Sequence, residues 1–492
     1  MEWIQRDIKT EFNTKKDTYI KNLDEATERI IYHINKKSKI GIFTDFDVDG
    51  LGCYYVFDWF FKTINYDVRL KIPHRSEGYG INSNWINENS DLDLIITADN
   101  GIRAIEQVAL AKSLGIDVIV TDHHKLGDIL PDCLILNPKY ESSSFTKELC
   151  GAGVSWYLVR RLIEVMSIDA DPKEILDMVT ISTIADLVEL DGANRQIVKY
   201  GLRKINNGEF SNESIKLLFR NFKYEINTSS IAFGVAPILN AIGRLEDAKI
   251  GADYLTGNIG LYDFLIDNNE KRKDLQHKYT TKALGEIDNS KNIIIYRNNN
   301  IPKGLIGLTA GDIMNATQKP TVVIANNSGS GRSVNDISIY DLVFNSGNSC
   351  ILSGGGHKKA IGVHISDYDK FKEEIGLYSD KNISEEDLKP RIYYWKIIKN
   401  NEFNSIDSQV QKMRPFGMKN LKPHIVLENQ TISDYRIVGR NKNVLQLQLE
   451  SGIKCVQFKY TEDERIKIGN TVKILGSTND GQLIIKDIKE EI

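Results

Sequence analysis

Ile40-Gly41-Ile42-Phe43-Thr44-Asp45-Phe46-Asp47-Val48-Asp49-Gly50 runs from an apolar stretch straight into three carboxylates at alternate positions and a glycine. A short apolar run that ends in turn-forming residues reads as a strand buried on both faces, the kind found in parallel sheets. The acids then project from its carboxyl end, where open α/β sheets hold their ligands. Asp-x-Asp-x-Asp-Gly also opens a calcium EF-hand loop, but that loop needs a Glu at its twelfth position, here Val56, and a helix in front of it. A solvated acidic turn is the plain alternative.

Two more clusters follow predicted strands in the same way. Residues 94–97 lead into Asp99-Asn100-Gly101, and residues 118–121 into Asp122-His123-His124; Asp186 lies inside a helical apolar run over 174–190. Taken alone, Asp122-His123-His124 fits a capped helix start equally well. Together, four or five carboxylates aimed at one point repel and raise one another's pKa values unless a polyvalent cation compensates them. Oxygen ligands suit Mg²⁺ or Ca²⁺, and imidazole moves the preference toward Mn²⁺ or another transition ion. Two ions sharing a bridging carboxylate form the arrangement that hydrolyses phosphodiesters.

Strands and helices alternate from residue 39 to 138, which predicts a doubly wound parallel sheet. A mainly helical stretch over 151–222 follows, so the fold class is α/β with a catalytic domain over 37–250, preceded by a helical segment over 1–36. The charged residues within 251–290 predict a linking helix. A smaller α/β domain over 291–388 has strands at 293–296 and 321–325, a helix at 305–315 and glycine-rich turns at 328–333 and 354–357. Apolar and polar residues alternate at period two over 444–449 and 471–475, which predicts an OB-type β-barrel over 389–492.

Composition supports an ordinary globular chain, with 41% hydrophobic and 26% charged residues. The start lacks a signal-peptide pattern and no apolar run reaches membrane-spanning length, so the expected location is cytoplasmic and no membrane partner is expected. Five cysteines without a Cys-x-x-Cys spacing read as free thiols, not disulfides or zinc ligands. Net charge is −4, but the last hundred residues carry an excess of Lys and Arg while the remainder is acidic.

Ser330-Gly331-Arg332-Ser333 groups hydroxyls, a guanidinium and glycine amides, the donor set that captures a phosphate monoester. Gly354-Gly355-Gly356-His357 offers bare backbone for close approach. Arg75 follows the strand beside the first acid cluster, and Arg244 stands in Asn240-Ala241-Ile242-Gly243-Arg244. A surface turn or a solvated salt bridge is the bland alternative for each.

The order Asp-x-Asp-x-Asp-Gly, Asp-Asn-Gly, Asp-His-His, a later Asp, Asn-Ala-x-Gly-Arg and Gly-Gly-Gly-His resembles the DHH phosphoesterases, closest to their RecJ group, over about residues 36–490. Residues 72–80, 330–333 and 415–420 strengthen the likeness to that group. The chain departs from its pattern at Pro302, where a His is usual two residues before Gly304.

The resemblance implies a DHH domain, a DHHA1 domain and an OB barrel. It further implies that Asp45, Asp47, Asp49, Asp99, His123 and Asp186 hold two Mn²⁺ or Mg²⁺ ions, with Asp99 bridging and Asp122 orienting His123. His124 would face the scissile phosphate. Arg75, Ser330 and Arg332 would form the pocket for the terminal phosphate, Asn240, Arg244 and Ser333 would be further contacts to phosphate or nucleic acid, and Gly355, Gly356 and His357 would grip the next backbone units. The implied activity is 5′→3′ hydrolysis of single-stranded DNA to mononucleotides in DNA repair and recombination. The expected protein is a monomer, with a single-strand-binding protein or a helicase as candidate partner. Tyr393, Tyr394 and Trp395 are either core residues or stacking surfaces for the trailing strand. The alternatives are an RNA-directed or 3′→5′ enzyme of the same class, and an inactive scaffold of a replication complex.

Overall fold

The computed structural model describes residues 19–389, 393–439, 442–458 and 460–490; the part of the predicted N-terminal helical segment over 1–18 lies outside them. They separate into two compact units, the larger containing both α/β parts and the smaller the C-terminal barrel.

The first sheet is wholly parallel, with strands β1 (Ile40–Thr44), β2 (Val68–Lys71), β3 (Leu94–Ala98), β4 (Asp117–Thr121) and β5 (Leu134–Leu136) in the order β2-β1-β3-β4-β5. β1 and β3 are buried at every position, as strands covered by helices on both faces must be. The helices Val48–Thr63 and Gly151–Met166 pack on one side. On the other, Phe43, Ile95, Val118 and Val120 meet Trp85, Ile86, Val108 and Ala111. The chain direction of the crossovers reverses between β1 and β3, the crevice where sheets of this order bind ligands. Thr44 pairs with Ala98 and Ala98 with Thr121. The residues that follow these strand ends, Asp45, Asp99 and Asp122, therefore start level with one another at the mouth of that crevice.

The helix Tyr262–Glu286 leads to a second, mixed sheet of β6 (Ile294–Arg297), β7 (Thr321–Ala325), β8 (Ser328–Arg332), β9 (Ile351–His357) and β10 (Ala360–Ile365), ordered β6-β7-β8-β10-β9. The two glycine-rich segments expected to be turns are strands. The glycines answer to packing: a Cβ on Gly331 would stand 2.7 Å from Ile361 Cγ1 and 2.9 Å from Ile339 Cγ1. With glycine on the core-facing side, the alternate residues Ser330 and Arg332 share the opposite face of β8. Register aligns Arg332 with Ala360 and Ala360 with His357, and Ser330 with Gly362 and Gly362 with Gly355. One polar, side-chain-poor face results.

In the smaller unit β12 (Ile425–Val438), β13 (Val444–Leu449), β14 (Lys454–Phe458), β15 (Thr471–Asn479) and β16 (Gln482–Glu490) close into a barrel, β12-β13-β14-β16-β15-β12; β11 (Lys396–Ile398) adds to β12 outside the closure. β14 and β16 pair in parallel and the other barrel pairs are antiparallel. Leu445, Leu447, Val472 and Ile474 fill it together with Phe403, Ile406 and Val410 of the helix Phe403–Lys412. Closure leaves these five strands no free edge. Tyr393, Tyr394 and Trp395 are not core residues: they are 71%, 52% and 49% exposed. Among the described residues, no helix is long and apolar enough to cross a membrane.

Candidate metal centre and phosphate pocket

Local structure sets each carboxylate. Asp47 caps the helix Val48–Thr63, its Oδ1 accepting from the amides of Asp49 (2.9 Å) and Gly50 (3.1 Å), which turns the loop so that Asp45 and Asp49 face the same side. Asp49 accepts from Gly151 N (2.6 Å) and Ala152 N (3.0 Å) at the start of the helix Gly151–Met166, where amides and dipole favour an anion. Asp99 holds a left-handed backbone, φ 62°, a conformation Asp tolerates better than most residues. A Cβ on Gly151 would come within 2.6 Å of Asp99 Cβ, so only glycine admits this approach.

These placements bring the acids and one imidazole together. Asp49, His123 and Asp186 offer ligand atoms within 4.8 Å of one another, and so do Asp45, Asp47 and Asp99. Asp99 stands between the two groups: its Oδ1 is 3.1 Å from His123 Nε2, which in turn is 3.6 Å from Asp186 Oδ2 and 3.7 Å from Asp49 Oδ2. Asp45 Oδ1, Asp99 Oδ1, Asp186 Oδ2 and both ring nitrogens of His123 are buried without a hydrogen-bond partner. Orphaned buried polar atoms are rare, and several facing one another mark room for an ion. Two oxygen-rich groups, one including imidazole, fit Mn²⁺ or Mg²⁺.

Electrostatics agree with that reading. Burial, and then the charge of Asp47, push Asp45 up to about 8 and Asp49 up to about 6. Asp99 and Asp186 are driven well above the usual carboxylate range, by burial first and by Asp49 second. Burial and the neighbouring His124 lower His123 to about 3, so its ring is neutral with free lone pairs.

Asp122 serves His124, not His123 as expected. Its Oδ1 lies 2.8 Å from His124 Nδ1 and accepts from the amides of His123 and His124, while Oδ2 accepts from Ile102 N (3.0 Å). The preceding strand ends level with β3, so the carboxylate caps its own turn and the ring two residues on lies nearest. Burial lowers the His124 pKa, but the hydrogen bond and charge of Asp122 outweigh it and raise the ring above its ordinary value. Tyr79, a residue the sequence reading did not single out, donates to Asp99 O (3.1 Å), and its hydroxyl lies 3.2 Å from His124 Nδ1. Its only sequence signal was its place four residues after Arg75.

The cations gather on the β2 side. Arg75 donates Nε–H to Gly243 O (2.7 Å) and lies 4.1 Å from the centre of the Phe46 ring. Arg244 donates to Gly304 O (2.9 Å), and Arg332 to Ser330 Oγ (2.9 Å) and Gly331 O (2.8 Å). Burial, followed by the charges of Arg75, Arg272 and Arg332, lowers Arg244 to about 10. Crowded guanidinium groups from both α/β parts leave a demand for an anion. Asn240 is half-buried one helical turn before Arg244. Ser333 does not join: its hydroxyl donates to Ile337 O (2.9 Å), because the odd positions of this segment face the core side. Gly356 and His357 reach across to the first α/β part, lining with Tyr79, Arg103, Asp122 and His124 a cleft of about 410 Å³.

Residues 39–183 match the family model for the DHH family, N-terminal domain, and residues 402–480 that for the RecJ OB domain. The single-stranded-DNA-specific exonuclease RecJ of Bacillus subtilis is 30% identical over 95% of this chain, which spans 63% of that protein's length. A crystal structure of RecJ from Thermus thermophilus in complex with Mn²⁺ superposes over 98% of this chain and 73% of its own, with TM-score 0.85 and 24% identity. A crystal structure of exonuclease RecJ bound to manganese is 30% identical, covering 74% of this chain and 95% of its own, with TM-score 0.66. The fold is that of the DHH class. Within that class, the chain belongs to the RecJ family.

Proposed function

We propose that this chain is a two-metal-dependent 5′→3′ exonuclease that hydrolyses single-stranded DNA to 5′-mononucleotides. The observation that carries the reading is the convergence of buried, unpartnered ligand atoms from Asp45, Asp99, His123 and Asp186. Asp45, Asp47 and Asp99 would hold one ion, and Asp49, His123 and Asp186 the other, with Asp99 shared. Bound there, the pair supplies charge neutralisation at the scissile phosphate and lowers the pKa of water.

The protein's own groups set the register. Arg75 follows β2, the acids follow β1 and β3, and Asp122-His123-His124 follows β4. Arg75 lies close enough to Asp45 and Asp47 to feel their charges, so the guanidinium cluster adjoins the metal centre. A terminal phosphate held by Arg75, Arg244, Arg332 and Ser330 thus presents the next phosphodiester to the acids, and each cut frees one nucleotide. His124, with its charged form favoured by Asp122 and its side chain 43% exposed, is placed to donate to a phosphate oxygen. The cleft beyond it takes the strand onward, past the bare backbone of Gly355 and Gly356.

Polarity and substrate are tested with 5′-phosphorylated DNA and RNA oligomers of matched sequence, each blocked at one end, incubated with Mn²⁺. Mononucleotide release from DNA with a free 5′ end supports the reading. Attack from the 3′ end or on RNA alone replaces it with the corresponding relative, and intact substrate in all arms refutes nuclease activity.

A further inference from the structure

The phosphate pocket draws Arg75 and Arg244 from one α/β part and Ser330 and Arg332 from the other, so its width depends on whatever fixes the element between them. That element is the start of the helix Ile306–Thr317. Arg244 Nη1 bonds Gly304 O just before it, and a Cβ on Gly307 would lie 2.8 Å from Arg332 Nη2 and 3.1 Å from Ser330 Oγ. Arg332 and Ser330 thus lie against the side-chain-free surface of Gly307 while Arg244 is tied to Gly304, so the position of this helix bears on where the arginines sit.

A polar chain ties the same helix to the linking helix Tyr262–Glu286. Asp312 Oδ2 accepts from Gln276 Nε2 (2.6 Å) and from Thr280 Oγ1 (3.2 Å). Gln276 Oε1 accepts from Arg272 Nη1 (2.7 Å), and Arg272 also donates from Nε (3.1 Å) and Nη2 (3.0 Å) to Asn269 Oδ1. Asn269, Arg272, Gln276 and Thr280 follow at three- and four-residue steps, which puts them on one face of the helix. The order is cation, amide, anion. The amide in the middle has one favourable orientation, with its oxygen toward the guanidinium and its nitrogen toward the carboxylate, so the chain is polar and specifies one alignment of the two helices. Apolar packing between the same elements, with Leu275 against the cluster that holds Ile306, Ala310 and Ile313, stabilises their contact without fixing it along the axis.

We infer that Gln276 and Asp312, anchored by Arg272, are positioning residues for the terminal-phosphate pocket: they hold the helix Ile306–Thr317 where Arg244 and Arg332 can close on one phosphate. The inference rests on the pocket reading above. Because the three side chains act through Gly304 and Gly307, their loss alters recognition of the strand end and leaves hydrolysis intact.

The test uses the whole chain with Mn²⁺ and two single-stranded 20-mers that differ only in carrying a 5′-phosphate or a 5′-hydroxyl. Gln276→Glu sets two carboxylates against each other and is expected to raise KM for the phosphorylated oligomer about tenfold, in the range of coupled neighbours. KM for the hydroxyl oligomer and kcat for both stay unchanged, and the thermal midpoint stays within a degree or two. Combining Gln276→Glu with Asp312→Asn reverses the order of carboxylate and amide and restores the low KM. Retained preference in Gln276→Glu, equal losses on both oligomers, or failure of the double variant to recover overturns the inference alone. A wild-type protein indifferent to the 5′-phosphate overturns the pocket reading and the inference with it.

Discussion

Asp99 Oδ1 and His123 Nε2 stand 3.1 Å apart, yet neither takes part in a hydrogen bond. Both are buried candidate ligand atoms of one group within 4.8 Å, the arrangement two ligands of one ion require. Removing either side chain should therefore abolish cleavage without unfolding the chain. Asp99→Ala and His123→Ala are expected to lower turnover by at least about 10³-fold, with far-ultraviolet circular dichroism unchanged; residual activity within tenfold of wild type counts against the assignment.

Crowding of the acids couples metal uptake to pH. Asp45 and Asp49, raised by burial to about 8 and about 6, hold protons that an entering cation must displace. Affinity for Mn²⁺ is expected to rise from pH 6 to pH 8, with proton release seen as buffer-dependent heat in calorimetry. The sign for stability is opposite in the metal-free chain. A carboxyl whose pKa is raised by folding contributes stability below its unfolded pKa and loses it as pH rises through the folded one, so the metal-free melting temperature should fall between pH 4 and pH 8. Saturating Mn²⁺ reverses that fall. A metal-free melting temperature that climbs steadily to pH 8 would show that the carboxyls are not crowded in solution.

The guanidinium cluster predicts end discrimination. Arg332→Ala deletes a charge-assisted donor and should weaken binding of a 5′-phosphorylated strand by about 1.5–3 kcal/mol, leaving the 5′-hydroxyl strand nearly unaffected. Steady-state KM on the two substrates is the readout, and equal losses on both would refute a terminal-phosphate role.

Exposed aromatics at the start of the smaller unit predict a length effect. If Tyr394 and Trp395 stack on the trailing strand, each alanine substitution should cost about 1–3 kcal/mol on long oligomers and nothing on trinucleotides. Fluorescence anisotropy across a length series measures this; loss on trinucleotides as well would place the defect in folding.

The fold class was legible because β1, β3 and β4 are short apolar runs that lead into acids and alternate with helical segments, the pattern of parallel strands covered on both faces. Local composition misled where packing governs. Gly329 and Gly331 look like a turn, yet they lie in β8 beneath Ile324, Ile339, Ile361 and Val363. Metal-bound histidines usually take an orienting carboxylate, which points Asp122 to His123, whereas the turn's geometry brings it to His124. Gln276 and Asp312 carry no signal at all, being ordinary polar helix residues until a helix some 36 residues away packs beside them. Contacts that distant in sequence become visible only in three dimensions.

The most direct measurement of the central claim is the Mn²⁺ stoichiometry of the purified chain by equilibrium dialysis, with electron paramagnetic resonance to detect coupling between ions. Two ions per chain with an exchange-coupled signal, both lost in Asp99→Ala, is the predicted result. No bound ion in the wild type, or two ions retained when Asp99 is replaced, would contradict it.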